Sequence, residues 1–246
     1  LLSKHCTILQ QDLDRLYAEL EQVRSVETQA LRINIAPIVR LMLPFNISIE
    51  FSNAYPDIQL YEDTLLDLEA EDLLLDGRFD ALIGLGPLFN PNLLTTQLFS
   101  YPACAVMRRS HPLAKKKFLT LRELCKQPLA IVDEKYKTIP LLVQACDRQN
   151  LVPNIVIRPP SSTVLYRICL EHDYLGLTFY TEGKHIYDED YSHVPIKTSD
   201  FCFQCFLISC SKQTPSKTLN RYLNFVRTYP FNQKLAQLPL LGMAQP

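Results

Sequence analysis

The chain has 246 residues, 47% of them hydrophobic and 21% charged, which is enough to bury a sizeable core in one large domain or two small ones. Its 25 Lys plus Arg against 26 Asp plus Glu leave a formal charge of -1, so it lacks the basic field that holds a phosphate backbone and is expected to bind nucleic acid poorly by itself. No apolar run reaches the ~20 residues of a membrane span, no apolar core follows a basic leader, and the eight cysteines lie singly in apolar surroundings rather than at the spacing of a small secreted scaffold.

These features predict a cytoplasmic protein with no membrane partner, and the start at Leu1 rather than Met reads as a piece of something longer. Over residues 1–30, Leu2, Cys6, Leu9, Leu13, Leu16, Leu20 and Val23 recur at 4, 3, 4, 3 spacing without Gly or Pro. That period predicts a coiled-coil helix whose seam, Leu2, Leu9, Leu13, Leu16 and Leu20, joins two copies. The plainer alternative is an amphipathic helix packed on its own domain.

From Leu31 short β-rich runs alternate with helical stretches. Strands are predicted over 31–35, 58–62 and 80–85, with helices over 38–54 and 65–76. A second series follows, with strands over 103–108, 129–132, 155–158 and 175–178 and helices over 120–126, 140–150 and 163–172. A long apolar strand over 201–210 and a helix over 216–229 come last. Such alternation predicts an α/β fold of βαβ units on parallel sheets. Pro56 should end the helix before it and hold Tyr55 extended, and Gly77 should supply a left-handed residue past a helix end.

Several phrases, taken in order, resemble the regulatory domain of LysR-type transcription regulators. They are Leu31-Arg32-Ile33-Asn34-Ile35, Phe51-Ser52-Asn53-Ala54-Tyr55-Pro56-Asp57-Ile58, Leu75-Asp76-Gly77-Arg78-Phe79-Asp80-Ala81-Leu82-Ile83-Gly84, Ser110-His111-Pro112-Leu113-Ala114, Ser161-Ser162-Thr163-Val164-Leu165 and Tyr174-Leu175-Gly176-Leu177. The resemblance implies a two-lobed, type 2 periplasmic-binding-protein-like fold behind a coiled-coil linker helix at 1–30. Lobe I would be 31–102 with 206–231, lobe II 103–205, and 232–246 a tail. It further implies an effector-binding domain that works as a homodimer or homotetramer, with lobe I of one copy beside lobe II of the next. The helices at 38–54 and 216–229 are candidates for that surface, although core packing explains their apolar faces equally well. The family's winged helix-turn-helix has no match here, so promoter DNA would be bound only by an absent head.

In open α/β sheets ligands lie beyond the carboxyl ends of the strands, where helix amino ends present unpaired N–H groups. Those ends nominate Pro37, Ile38, Val39 and Arg40, then Thr64, then Gly84, Leu85 and Gly86, on one wall of an interlobe cleft. The other wall draws on Tyr101 at the crossing, Glu134 and Lys135, Ser161, Ser162 and Thr163, and Thr178 and Phe179. Hydroxyls at a helix start suit a carboxylate or phosphate, yet the same hydroxyls serve as ordinary caps. Thr64 is either a cap for the next helix or a hydroxyl at the cleft. The family often has Ser or Thr after the first strand, where this chain reads Ala36-Pro37. That departure turns attention to Arg40 as an anion holder, or toward an apolar pocket for an aromatic ligand.

Cys202 and Cys205 are three apart on a strand and so face opposite sides, which disfavours a disulfide or a shared metal. The five histidines are dispersed, so no metal and no cofactor is expected. Enzyme signatures such as a phosphate-binding glycine loop, G-x-S-x-G or H-E-x-x-H are lacking, and the expectation is a regulator rather than an enzyme. The alternatives are a solute-binding protein or small-molecule enzyme on the same fold, or thiol-based redox sensing.

Overall fold

A computed structural model describes residues 29–231 apart from 45, 87, 89, 134, 181–189, 199–200 and 213. The expected heptad seam and the tail at 232–246 lie outside the described residues. The chain divides into two compact units, the breaks falling between Leu98 and Phe99 and between Gln204 and Cys205.

Unit one holds strands β1 (Ala30–Ile35), β2 (Gln59–Asp63) and β3 (Ala81–Leu85), the start of β4 (Leu93–Arg108) and the later part of β9 (Cys202–Cys210). Its helices are α1 (Pro37–Met42), α2 (Ile47–Ala54), α3 (Asp67–Leu75) and α7 (Lys217–Thr228). The sheet runs β2-β1-β3-β9. β1 is parallel to both neighbours, and β3 meets β9 antiparallel. Central strands covered on both faces must be apolar throughout, and β3 is buried along its whole length. Leu31, Ile33 and Ile35 of β1 are fully buried as well.

The single helix predicted over 38–54 is instead two. Pro44 has no N–H to extend α1 and drives Leu43 into extended backbone (φ -84°, ψ 151°), so the chain breaks before restarting as α2. The end of α3 follows the expected chemistry. Gly77 takes φ 75°, its N–H donates to the Leu74 carbonyl, and the Arg78 N–H donates to that of Leu73, the pairing of a left-handed helix stop. α7 packs on α2 through aromatic edges, with Phe51 5.0 Å from Tyr222 and 5.3 Å from Phe225 between ring centres.

Unit two holds the rest of β4 with β5 (Leu129–Ala130), β6 (Ile155–Ile157), β7 (Leu175–Phe179) and β8 (Tyr191–Pro195), and helices α4 (Leu121–Cys125), α5 (Thr138–Asp147) and α6 (Ser162–Glu171). From β4 the order is β7, β5, β6, with β8 on the other flank of β4. β5 is parallel to β6 and β7, while β4 is antiparallel to β7 and β8. The strand expected over 103–108 begins ten residues earlier, at Leu93, and carries the chain from one unit into the other. β8 was not expected, because Tyr-Ser-His-Val-Pro shows no two-residue alternation and buries only its first and fourth residues.

Gly176 lets α6 lie against β7. A Cβ there would stand 2.4 Å from Leu165 Cδ2 and 2.7 Å from Val106 Cγ1, within the cluster of Val106, Ala130, Val132, Leu165, Cys169 and Tyr191. No described helix is long and apolar enough to cross a membrane.

Candidate functional site

In unit one the carboxyl ends of β1, β2 and β3 share one edge, because the three strands are parallel. After β1, Ala36 starts α1 without a side-chain cap, and Pro37 occupies the first helical position, which removes an N–H that an anion could have used. Pro37 and Ile38 are half-buried and Val39 is fully buried. Arg40 is drawn sideways to β2, its Nε 3.4 Å from Glu62 Oε1. Glu62 also accepts a hydrogen bond from the Ser48 hydroxyl on α2, so this guanidinium is already engaged within its own unit.

Thr64 does not cap the next helix. The cap position of α3 is Leu66, while Thr64 is exposed and donates its N–H to Asp63. Buried Asn34 holds this loop instead, accepting from Leu65 N at 2.6 Å and donating to the Leu65 carbonyl at 3.2 Å. Beside it buried Asp67 accepts from Leu85 N at 2.9 Å. Gly84 and Gly86 have packing reasons for being glycine: a Cβ on Gly84 would meet Asp67 Oδ1 at 2.9 Å, and one on Gly86 would meet Phe206 Cε2 at 2.3 Å. Sequence reasoning missed Asn34 and Asp67, although an amide inside the apolar run of β1 was a visible signal that a local partner must exist.

A cavity of about 570 Å³ in unit one opens at the opposite edge, between Ala30, Asp80 and the start of α7. It takes in none of the nominated residues.

In unit two the ends of β5, β6 and β7 again share an edge. The loop after β5 is folded by Asp133, whose Oδ1 accepts from Lys135 N at 3.0 Å and whose carbonyl accepts from Tyr136 N. Tyr136 donates its hydroxyl to the Pro160 carbonyl at 3.3 Å, tying this loop to the start of α6. Lys135 is exposed, and Glu134 lies outside the described residues.

The buried polar groups come slightly later. Lys137 and Thr138, 7% and 0% exposed, form the amino end of α5. No side chain caps this end, and Thr138 Oγ1 is buried with no hydrogen-bond partner among the described residues. Thr138 is the first helical residue, so its hydroxyl stands where the open N–H groups of the first turn are.

At α6, Ser161 Oγ accepts from Val164 N at 3.4 Å and acts as a cap, whereas Ser162 and Thr163 are exposed. On the same edge Tyr101 packs against Phe99 and Phe179, each at 5.6 Å between ring centres, and Thr178 is buried. Unit two thus presents a cationic, uncapped helix start and an aromatic patch. That combination suits a small anion with an apolar body.

The chain matches the family model of the LysR substrate binding domain over residues 24–230. It is 30% identical over 127 residues to the HTH-type transcriptional regulator CysB of Haemophilus influenzae, a match covering 51% of this chain and 39% of that regulator. The chain therefore spans well under two thirds of that relative. Among solved structures, the effector-binding domain of BenM with its effector benzoate superposes with a TM-score of 0.71 at 16% identity, covering 87% of this chain and 98% of that one. A Corynebacterium glutamicum OxyR C206 mutant does so with a TM-score of 0.74 at 16% identity, covering 90% and 73%. The strand order, the crossings at β4 and β9, and the match along 24–230 place this chain in the LysR substrate-binding domain family.

Proposed function

We propose that the chain is the effector-sensing and self-associating part of a cytoplasmic transcription regulator and has no catalytic role. The observation that carries the sensing is the start of α5, where buried Lys137 adjoins the unpartnered, fully buried Thr138 hydroxyl. A buried hydroxyl without a partner costs about 1–3 kcal/mol, and a bound ligand atom removes that cost. The dipole of α5 favours a negative group at the same point. The effector is accordingly a small molecule with one anionic group, its body against Tyr101 and Phe179. Benzoate, which the BenM domain holds as its effector, has this form. The exposed hydroxyls of Ser162 and Thr163 are within the same edge and supply secondary contacts.

Binding acts as a signal if the effector favours one arrangement of the chain or its assembly over another. Self-association through the exposed apolar edges of each unit carries that signal to a DNA-binding head outside these residues.

A thermal-shift screen of small carboxylates and sulfonates, benzoate included, tests the reading with Thr138→Val alongside. A compound that raises the melting temperature of the parent by mass action, and raises that of the variant much less, supports it. Equal shifts in parent and variant, or no shift with any compound, would overturn it.

A further inference from the structure

Cys125 closes α4 and Cys146 lies in the last turn of α5. Their sulfur atoms are 3.4 Å apart, and both are free, buried thiols. No other two thiols touch among the described residues. A disulfide needs its sulfurs at ~2.0 Å, so the pair is within side-chain adjustment of bonding and 21 residues apart in the chain.

We propose that Cys125 and Cys146 form an oxidation site, which peroxide converts into a disulfide joining α4 to α5. The Cys125 thiolate attacks one peroxide oxygen and the O–O bond breaks, leaving a sulfenic acid on Cys125 and releasing water. The Cys146 sulfur then displaces the sulfenic oxygen as a second water. Two thiols and one hydrogen peroxide become one disulfide and two waters.

The contact itself assigns the two roles. Cys125 is 8% exposed and Cys146 is not exposed at all, so the oxidant reaches Cys125 first. Burial pushes both thiols up, but the shared hydrogen bond favours the Cys125 thiolate while helping push Cys146 to about 12. The thiolate is the reacting form, so oxidation is slow near neutral pH and quickens as pH rises. The bond would pin the carboxyl end of the helix whose amino end carries Lys137 and Thr138. This consequence, unlike the oxidation itself, rests on the effector reading above.

The test is to expose the reduced chain to hydrogen peroxide near neutral pH and at a pH about 1.5 units higher, alkylate the remaining thiols and digest with trypsin. The expected product joins peptides 123–126 and 138–148, two hydrogens lighter than the separate peptides together. It should form faster at the higher pH, separate on treatment with dithiothreitol, vanish in Cys125→Ala and Cys146→Ala, and persist in Cys210→Ala. Recovery of both peptides only in alkylated form, after exposure that oxidises half-buried Cys210, would overturn the proposal. So would Cys125 joined to any other cysteine. Neither result bears on the thermal-shift outcome with Thr138→Val, so the two readings fail separately.

Discussion

The hydroxyl of Thr138 makes opposite demands on stability and on function. In the free chain it is buried and unsatisfied, so Thr138→Val, which keeps the shape and removes the polar atom, is expected to leave stability unchanged or raise it by up to about 1 kcal/mol. Urea unfolding without ligand measures this, and a loss above about 1 kcal/mol would mean that the hydroxyl has a structural partner after all. Gly176 stands at the other extreme. An added methyl group would press on Leu165, Val106 and Cys169 from three sides, and Leu165, Val106 and Cys169 are all essentially buried. Gly176→Ala is therefore predicted to lower stability by about 1–3 kcal/mol. Gly86→Ala should cost less, since the atoms it meets belong to the ring edge of one half-buried phenylalanine. A larger loss in Gly86→Ala than in Gly176→Ala would show that the Phe206 ring cannot move aside.

Short helices depend on their ends, and α4 has only five residues. Its start is a reciprocal box in which Thr120 Oγ1 accepts from Glu123 N while Glu123 accepts from Thr120 N. Thr120→Ala should cost about 1 kcal/mol. Glu123 is held down to about 2 by the Lys116 ammonium first, then by the Thr120 amide and hydroxyl. A depressed carboxylate stabilises the fold above its ordinary value of 4.5, and that contribution is lost as pH falls toward 2. Between these limits the parent should lose stability more steeply than Glu123→Gln, a difference that urea midpoints at successive pH values would reveal; parallel curves would exclude the Glu123 carboxylate as a source of pH dependence. At this scale the alternating strands and helices were legible because their periods differ. The break at Pro44 was readable in principle but hidden by the apolar spacing that continues across it. The site was harder to read. A two-residue strand at β5 and a proline inside the first turn of α5 put the apparent start of the helix at Pro140, so the sequence pattern does not single out the buried polar pair Lys137 and Thr138. Thr64 does not cap α3, because its loop is fixed by Asn34 across 31 residues of sequence, a partner that no local pattern announces.

Among the described residues, part of the exposed apolar surface lies on or near the two edge strands. In unit one it includes Tyr61 of edge strand β2, with Leu41 on α1 and Ile49 on α2, 47%, 46% and 53% exposed. In unit two, Val152 and Val156, 85% and 51% exposed, lie before and within edge strand β6, and Val143 of α5 is 37% exposed. Edges of this kind attract further chains unless covered, and a formal charge of -1 offers little repulsion between copies. The antiparallel pairing that the family resemblance implies would cover both, with the unit-one edge of each copy on the unit-two edge of its partner. Because a two-fold axis repeats every contact, one substitution removes two contacts at once. Ile49→Asp places an unpaired charge in both, at about 1–3 kcal/mol each, so association should weaken by a factor on the order of a hundred or more. Val156→Asp, in the other unit, should do the same. Sedimentation at micromolar concentration would show a parent dimer and two monomeric variants that keep the parent's unfolding midpoint in urea. A monomeric parent, or a pair in which only one variant dissociates, would rule out this reciprocal pairing, whereas two variants that both stay dimeric would leave the heptads at 1–30 as the seam.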